Sequence, residues 1–200
     1  MRGAESIAGL DQRGKTGKVT VDRGGAVMPR PAAQKDIQMK LYYSPGACSL
    51  ASHILLKEVA ADHAIEKVDL RAKTTETGAD FTSVNPKGSV PALALDSGEV
   101  LTEGVAIMQF VADTGGVAEL SPRVGSLARA RLQEALNFIS SEVHKAYSPL
   151  FRGPSEEAKP AILENLTRRL GQVEALLADG RAYLTGPEFS AADAYLFTVT

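Results

Sequence analysis

The sequence predicts two architectures in one chain: an α/β domain with strands and helices in the order βαβ then ββα, followed by an all-helical domain. Three observations carry this. Short apolar runs bounded by turn residues alternate with helix-period segments between Met39 and Asp113. A stretch rich in glycine, proline and serine, TGGVAELSPRVGS at 114–126, then interrupts the pattern. Beyond it, apolar residues recur only at spacings of three and four.

Residues 1–38 differ in composition from the rest of the chain. Glycines recur, apolar periodicity is absent, and seven basic residues face four acidic ones. There is no apolar central run of the secretory kind, and the mixed acidic residues argue against a transit peptide. The segment reads as a disordered N-terminal extension, a start-site artefact or a scar, and the ordered pattern begins at the internal Met39.

From there KLYY (40–43) predicts a strand, 49–60 a helix and EKVDL (66–70) a second, parallel strand, with a polar loop running through Gly78. Two short apolar strands, 91–95 and 99–101, are joined at Asp96-Ser97-Gly98, which is hairpin chemistry. A helix follows from Thr102, with Val105, Met108, Val111 and Ala112 at helical spacing. The α/β domain is placed at 39–117 and the helical domain at 124–200.

In the helical domain Leu132, Leu136, Ile139 and Val143 mark one apolar stripe, and Leu163, Leu166, Leu170, Val173 and Leu177 another. Ser155 can cap the second helix and Gly180 close it, while Pro160 predicts a kink or a late start. A third helix begins at FSAADAYLFTVT, where Ser190 and Asp193 have capping-box spacing. The chain stops at Thr200 inside an apolar run with no cap, which reads as truncation within a buried helix.

Composition narrows the functions. A net charge of -2 gives no reason for a nucleic-acid or anionic-membrane partner. No stretch approaches the roughly twenty apolar residues of a membrane span. One cysteine forms no internal disulfide, and three scattered histidines form no Cys/His metal cluster, so a reduced, cytoplasmic setting is expected, with no metal.

That cysteine lies in YYSPGACSLASH, between a Ser-Pro-Gly-Ala turn and a helix start. Free amides and the helix dipole there favour a thiolate, whereas free cysteine is also commonly a small buried hydrophobe. No second thiol completes a CxxC, so any redox cycle through Cys48 needs an outside thiol. His53, five residues on, lies roughly 140° round the helix from Cys48 and reads as packing or surface, and His63 as solvated. Asn137, Ser140, Ser141 and His144 form a polar stripe at helical spacing, which on the residues alone reads as a solvated face. Pro91 opens a strand, as a simple edge proline or as a cis bond after Val90. Thr102-Glu103-Gly104 opens a helix whose free amides can bind a carboxylate, with Glu103 pairing an ammonium or only capping the helix.

The segments MKLYYSPGACSLASH, VNPKGSVPAL, LTEGVAIMQF, SSEVHKAYSPLFR and FSAADAYLFTV, in this order, resemble the bacterial beta class of the glutathione S-transferases. The resemblance covers 39–200 and has no counterpart to 1–38, and the family's helical domain normally continues past Thr200. It implies a thioredoxin-like first domain, an all-helical second one and a homodimer that joins glutathione, as co-substrate, to a small hydrophobic electrophile. Cys48 then lies beside the glutathione sulfur, and His144 and Lys145 face it across the domain cleft. A cis Val90–Pro91 bond leaves Val90 to pair with the cysteinyl unit. Glu103 takes the α-amino group, the Thr102 and Gly104 backbone the α-carboxylate, Lys73 the glycine carboxylate, and Asn137 the partner subunit's glutathione. Tyr43, near the catalytic tyrosine of other classes, is not expected to activate the thiol. Two alternatives accompany this reading: a monothiol, glutaredoxin-like oxidoreductase, and a non-catalytic ligand-binding remnant.

Overall fold

A computed structural model describes residues 38–200, so the extension expected at 1–38 lies, but for Gln38, outside the described residues. The first strand, β1 (Met39–Tyr43), shows why its neighbours are where they are. Alternation sends Leu41 to one face of the sheet and Tyr42 to the other. Leu41 packs with Leu55, Leu56, Leu93, Ile107, Met108 and Val111, while Tyr42 packs with Val68, Phe81, Val90 and Ala92. Each fully buried leucine contributes about 2–3 kcal/mol of transfer free energy.

The sheet has five strands in the order β3-β2-β1-β4-β5. β1 pairs in parallel with β2 (His63–Asp69), Leu41 opposite Ile65, and antiparallel with β4 (Ala92–Leu95), Leu41 opposite Leu93. β5 (Val100–Thr102) continues the hairpin from β4, as the Asp96-Ser97-Gly98 turn predicts. Two features differ from the expectation. β2 begins at His63 rather than 66, because backbone pairing with Met39–Leu41 extends it through residues with no apolar alternation. The loop expected through Gly78 also contains β3 (Thr74–Thr75), held antiparallel against Val68 and Asp69, and a 3-10 turn at Phe81–Ser83 that buries Phe81.

Two helices cover the leucine face of the sheet: α1 (Ser49–Glu58) and α2 (Gly104–Gly115). α2 starts two residues later than Thr102, with Glu103 in the N-cap position. The stretch 114–126 joins the two parts with Leu120 buried and Ser121 bonded into the Asp113–Arg129 ion pair that ties α2 to α3 (Leu127–Phe138).

After α3 the chain widens into a π-helical turn, Ile139–Val143, and resumes as α4 (His144–Tyr147). The predicted stripe Leu132, Leu136, Ile139 and Val143 is buried along this run. α5 (Lys159–Leu177) starts late, with Pro160 in its first turn where no amide is needed, and Gly180 turns the chain at φ +80° just beyond it. Ser155 does not cap α5; it heads the preceding turn, its hydroxyl 3.3 Å from the Ala158 amide.

The last helix, α6 (Ala191–Val199), opens with the expected capping box, Asp193 accepting from the Ser190 amide at 2.9 Å. Its small residues Ala191, Ala192 and Ala194 are buried in the same cluster as Leu55 and Leu56, so the α/β and helical parts share one core. No described helix is long and apolar enough to cross a membrane.

Candidate functional site

The turn Ser44–Ala47 sets the entry to α1. Gly46 has φ +70°, the Ala47 amide bonds to the Ser44 carbonyl at 3.2 Å, and Cys48 takes the N-cap position. This places the half-buried thiol against the start of β4. Its Sγ donates to the Val90 carbonyl at 3.5 Å, and the Val90–Pro91 bond is cis. Burial pushes the Cys48 thiol up, against a smaller downward effect of backbone hydrogen bonding. Before any ligand arrives the thiol stands as a donor to the Val90 carbonyl, and desolvation opposes the thiolate that the helix start favours.

A cleft of about 640 Å³ opens beside Cys48, a size that suits a small peptide or drug-sized ligand. One wall is the α/β part, with Ser44, Lys73 and Gly88–Val90; the other is the helical part, with His144, Tyr147, Phe151 and residues 198–200. Lys73 is itself in a left-handed conformation, φ +58°, and its ammonium donates to the Gly88 carbonyl at 2.7 Å. A cation is thus fixed at one end of the cleft.

His144 reaches the opposite wall from the helical run just after the π turn. Its Nδ1 lies 2.9 Å from the Tyr195 hydroxyl, and the two rings meet edge to face at 5.8 Å. Burial, helped by the Lys145 charge, lowers the His144 pKa, so the imidazole is neutral at neutral pH. Burial likewise pushes Tyr195 up to about 12.

A second group of predicted residues adjoins this cleft. Glu103 has φ +70° and ψ 112°, a conformation that L residues avoid and that marks functional sites when the surroundings enforce it. Lys87 donates to the Glu103 carboxylate at 2.5 Å and to the Thr102 hydroxyl at 3.2 Å. Gly104 sits beside the Pro91 ring, whose Cγ would lie 3.6 Å from a β-carbon placed there. Thr102, Glu103 and Gly104 thereby abut the cis-proline edge.

The structure brings Cys48, Val90, Lys73 and His144 to one cleft and the 102–104 corner to its rim. It does not bring Asn137 and Lys145 there: both are exposed on the helical run. His53 points away from the cleft as expected, but His63 is not simply solvated; its ring packs edge on to His53 at 5.3 Å and its Nδ1 bonds to the Ala61 carbonyl. No cluster of three or more potential metal ligands occurs among the described residues. Sequence reasoning missed three residues. Asn85, buried, ties the 85–89 loop through the Ser89 carbonyl at 2.7 Å, Lys87 reaches Glu103, and Tyr195 reaches His144. The NPKG turn pointed to the first. Nothing in local spacing points to the other two.

Known proteins resemble this chain in sequence and fold. The chain is 50% identical to glutathione S-transferase GstA of Escherichia coli O157:H7 over 162 residues, 80% of each protein. The chain belongs to the glutathione S-transferase family. The family's N-terminal domain model, "Glutathione S-transferase, N-terminal domain", matches residues 46–114, a span from the turn before Cys48 to the end of α2. Among solved structures, a bacterial beta class glutathione S-transferase from Sphingomonas chungbukensis is 50% identical with TM-score 0.76, covering 80% of both chains. A sphingomonad glutathione S-transferase complexed with glutathione is 51% identical with TM-score 0.75, again over 80% of each. The thioredoxin-like first part and the helical second part of this chain are therefore the family's fold.

Proposed function

We propose that the protein is a cytoplasmic, homodimeric glutathione transferase that binds reduced glutathione in the Cys48–His144 cleft and joins its sulfur to a small hydrophobic electrophile. The observation that carries this reading is the coincidence of 50% identity to a glutathione S-transferase with a cleft that holds a cis-proline strand edge, a fixed cation and a neutral imidazole.

In this reading residues 39–117 hold the tripeptide and 124–200 supply the electrophile's wall. The Val90 backbone pairs with the cysteinyl unit as an added strand, next to Pro91. Glu103 takes the α-amino group, with Lys87 released from it or bridging to the α-carboxylate, which the Thr102 and Gly104 amides at the start of α2 receive. Lys73 holds the glycine carboxylate. Asn137 and Lys145, exposed in one subunit, act toward the partner subunit's glutathione and on the cleft's field respectively.

The chemistry is attack by the bound thiolate on an electrophilic carbon. Cys48, kept protonated by burial, and His144 donate hydrogen bonds to the sulfur. Such donors stabilise the anion and lower the pKa of the bound thiol from about 8.5. A protonated Cys48 is a poor nucleophile, which ranks thiol-disulfide exchange below conjugation. Steady-state turnover of glutathione with an activated aryl chloride tests the reading, alongside retention on immobilised glutathione. Turnover with retention supports it. Retention without turnover favours the ligand-binding remnant, and disulfide reduction alone favours the monothiol oxidoreductase.

A further inference from the structure

The hydrogen bond between Tyr195 and His144 has a direction, and that direction decides what His144 offers the cleft. A phenol O–H is a far stronger donor than an imidazole N–H, and an imidazole nitrogen is a better acceptor than a phenol oxygen. Across the 2.9 Å contact, Tyr195 therefore donates and Nδ1 accepts.

With Nδ1 accepting, a neutral His144 must carry its proton on Nε2, the ring nitrogen that makes no hydrogen bond among the described residues, in a side chain that lines the cleft with Cys48. We propose that Tyr195 is a positioning residue: from α6 it locks His144 as an Nε2–H donor aimed at the bound glutathione sulfur, so that His144 stabilises the thiolate and does not act as a base. This rests on the transferase reading above.

The surroundings agree. Burial, and after it the Lys145 charge next on the same helix, disfavours a second proton on His144, and burial, with the Glu103 charge at the α2 corner, disfavours loss of the proton from Tyr195. Both rings stay neutral through the working range, so the polarity of the Tyr195–His144 pair holds as pH changes. The edge-to-face contact fixes the ring plane independently of the hydroxyl.

Two measurements on the full chain test this. The ¹⁵N shifts of His144 in the ligand-free protein are expected to show a bare Nδ1 and a protonated Nε2; an Nδ1–H tautomer overturns the proposal. In parallel, Tyr195→Phe keeps the ring contact and removes the donor. It is expected to raise the pKa of bound glutathione and to lower kcat/KM at neutral pH by about three- to tenfold, recovering at high pH, with glutathione affinity unchanged. In a His144→Gln background the same change is expected to have no effect; an equal loss in both backgrounds means a merely structural Tyr195 and overturns the proposal. Because the shifts are read without glutathione, failure of the unaltered protein to bind glutathione is a separate outcome, which overturns the transferase reading and with it the role of Nε2 toward sulfur.

Discussion

Replacing Gly115 by alanine is expected to destabilise the protein, and replacing Gly171 by alanine to stabilise it. Both glycines lie in helices, α2 and α5, where alanine is favoured by up to about 1 kcal/mol on conformational grounds. Their surroundings differ. A β-carbon on Gly115 would collide with Val59 Cβ and lie 2.5 Å from its Cγ1, whereas one on Gly171 meets nothing within 4 Å. Val59 Cβ is fixed to the backbone at the end of α1 and cannot rotate away, so α1 and α2 must part. Overpacking of this kind costs about 1–3 kcal/mol, which after the helical gain leaves Gly115→Ala up to about 2 kcal/mol less stable, against Gly171→Ala about 0.5–1 kcal/mol more stable. Urea unfolding of the two variants reads this directly, and the melting temperature should move by about 2–4 °C per kcal/mol. Adding Val59→Ala to Gly115→Ala should recover part of the loss only, because the Cβ contact remains. A shift of the same sign in both single variants would refute the packing argument. The contact matters for the site, since α1 and α2 carry Cys48 and Glu103 at their N-termini.

Three further outcomes rest on named contacts. Glu66, buried with Thr77 donating at 2.6 Å and Lys40 at 2.9 Å, is held at a pKa of about 2 against its ordinary 4.5. Its folded pKa is depressed, so the stabilisation is present above pH 4.5 and lost as pH falls through about 2; the stability gap between the protein and Glu66→Gln should shrink over that window in denaturant titrations. Asp113→Asn leaves the buried Arg129 without its counter-charge, and with Asp113 itself partly exposed the loss should be about 1–3 kcal/mol by urea unfolding, larger than for Arg129→Met, which removes the buried charge as well. Cys48→Ala should abolish any thiol transfer and lower conjugation only in part, measured by parallel disulfide-reduction and aryl-chloride assays; both activities intact would remove Cys48 from the redox role.

Much of the fold was legible because burial writes itself into period. Leu41, Leu93 and the stripe Leu132, Leu136, Ile139, Val143 are buried where alternation and helical spacing put them. β3 was not, since the two threonines are held by backbone bonds to Val68 and Asp69 and carry no apolar signal. For the site, Cys48 and Val90 were legible from one contiguous motif each, and Lys73 only through the family resemblance. Tyr195 was not: within AADAYLF it reads as core, and its hydroxyl partner is 51 residues earlier in the chain. Lys87 escaped for the same reason, its carboxylate partner lying across a hairpin. The helix N-terminus beside the thiol is visible in sequence, whereas the desolvation that opposes its ionisation is set by residues that only the fold assembles.

The central claim is that this cleft binds glutathione and makes its sulfur anionic near neutral pH. An ultraviolet titration of thiolate absorbance against pH, at saturating glutathione with the full chain, tests it most directly. The account predicts a bound-thiol pKa at least about one unit below the ordinary value of about 8.5. A bound thiol that titrates at or above that ordinary value, or no bound glutathione in a folded sample, would contradict it.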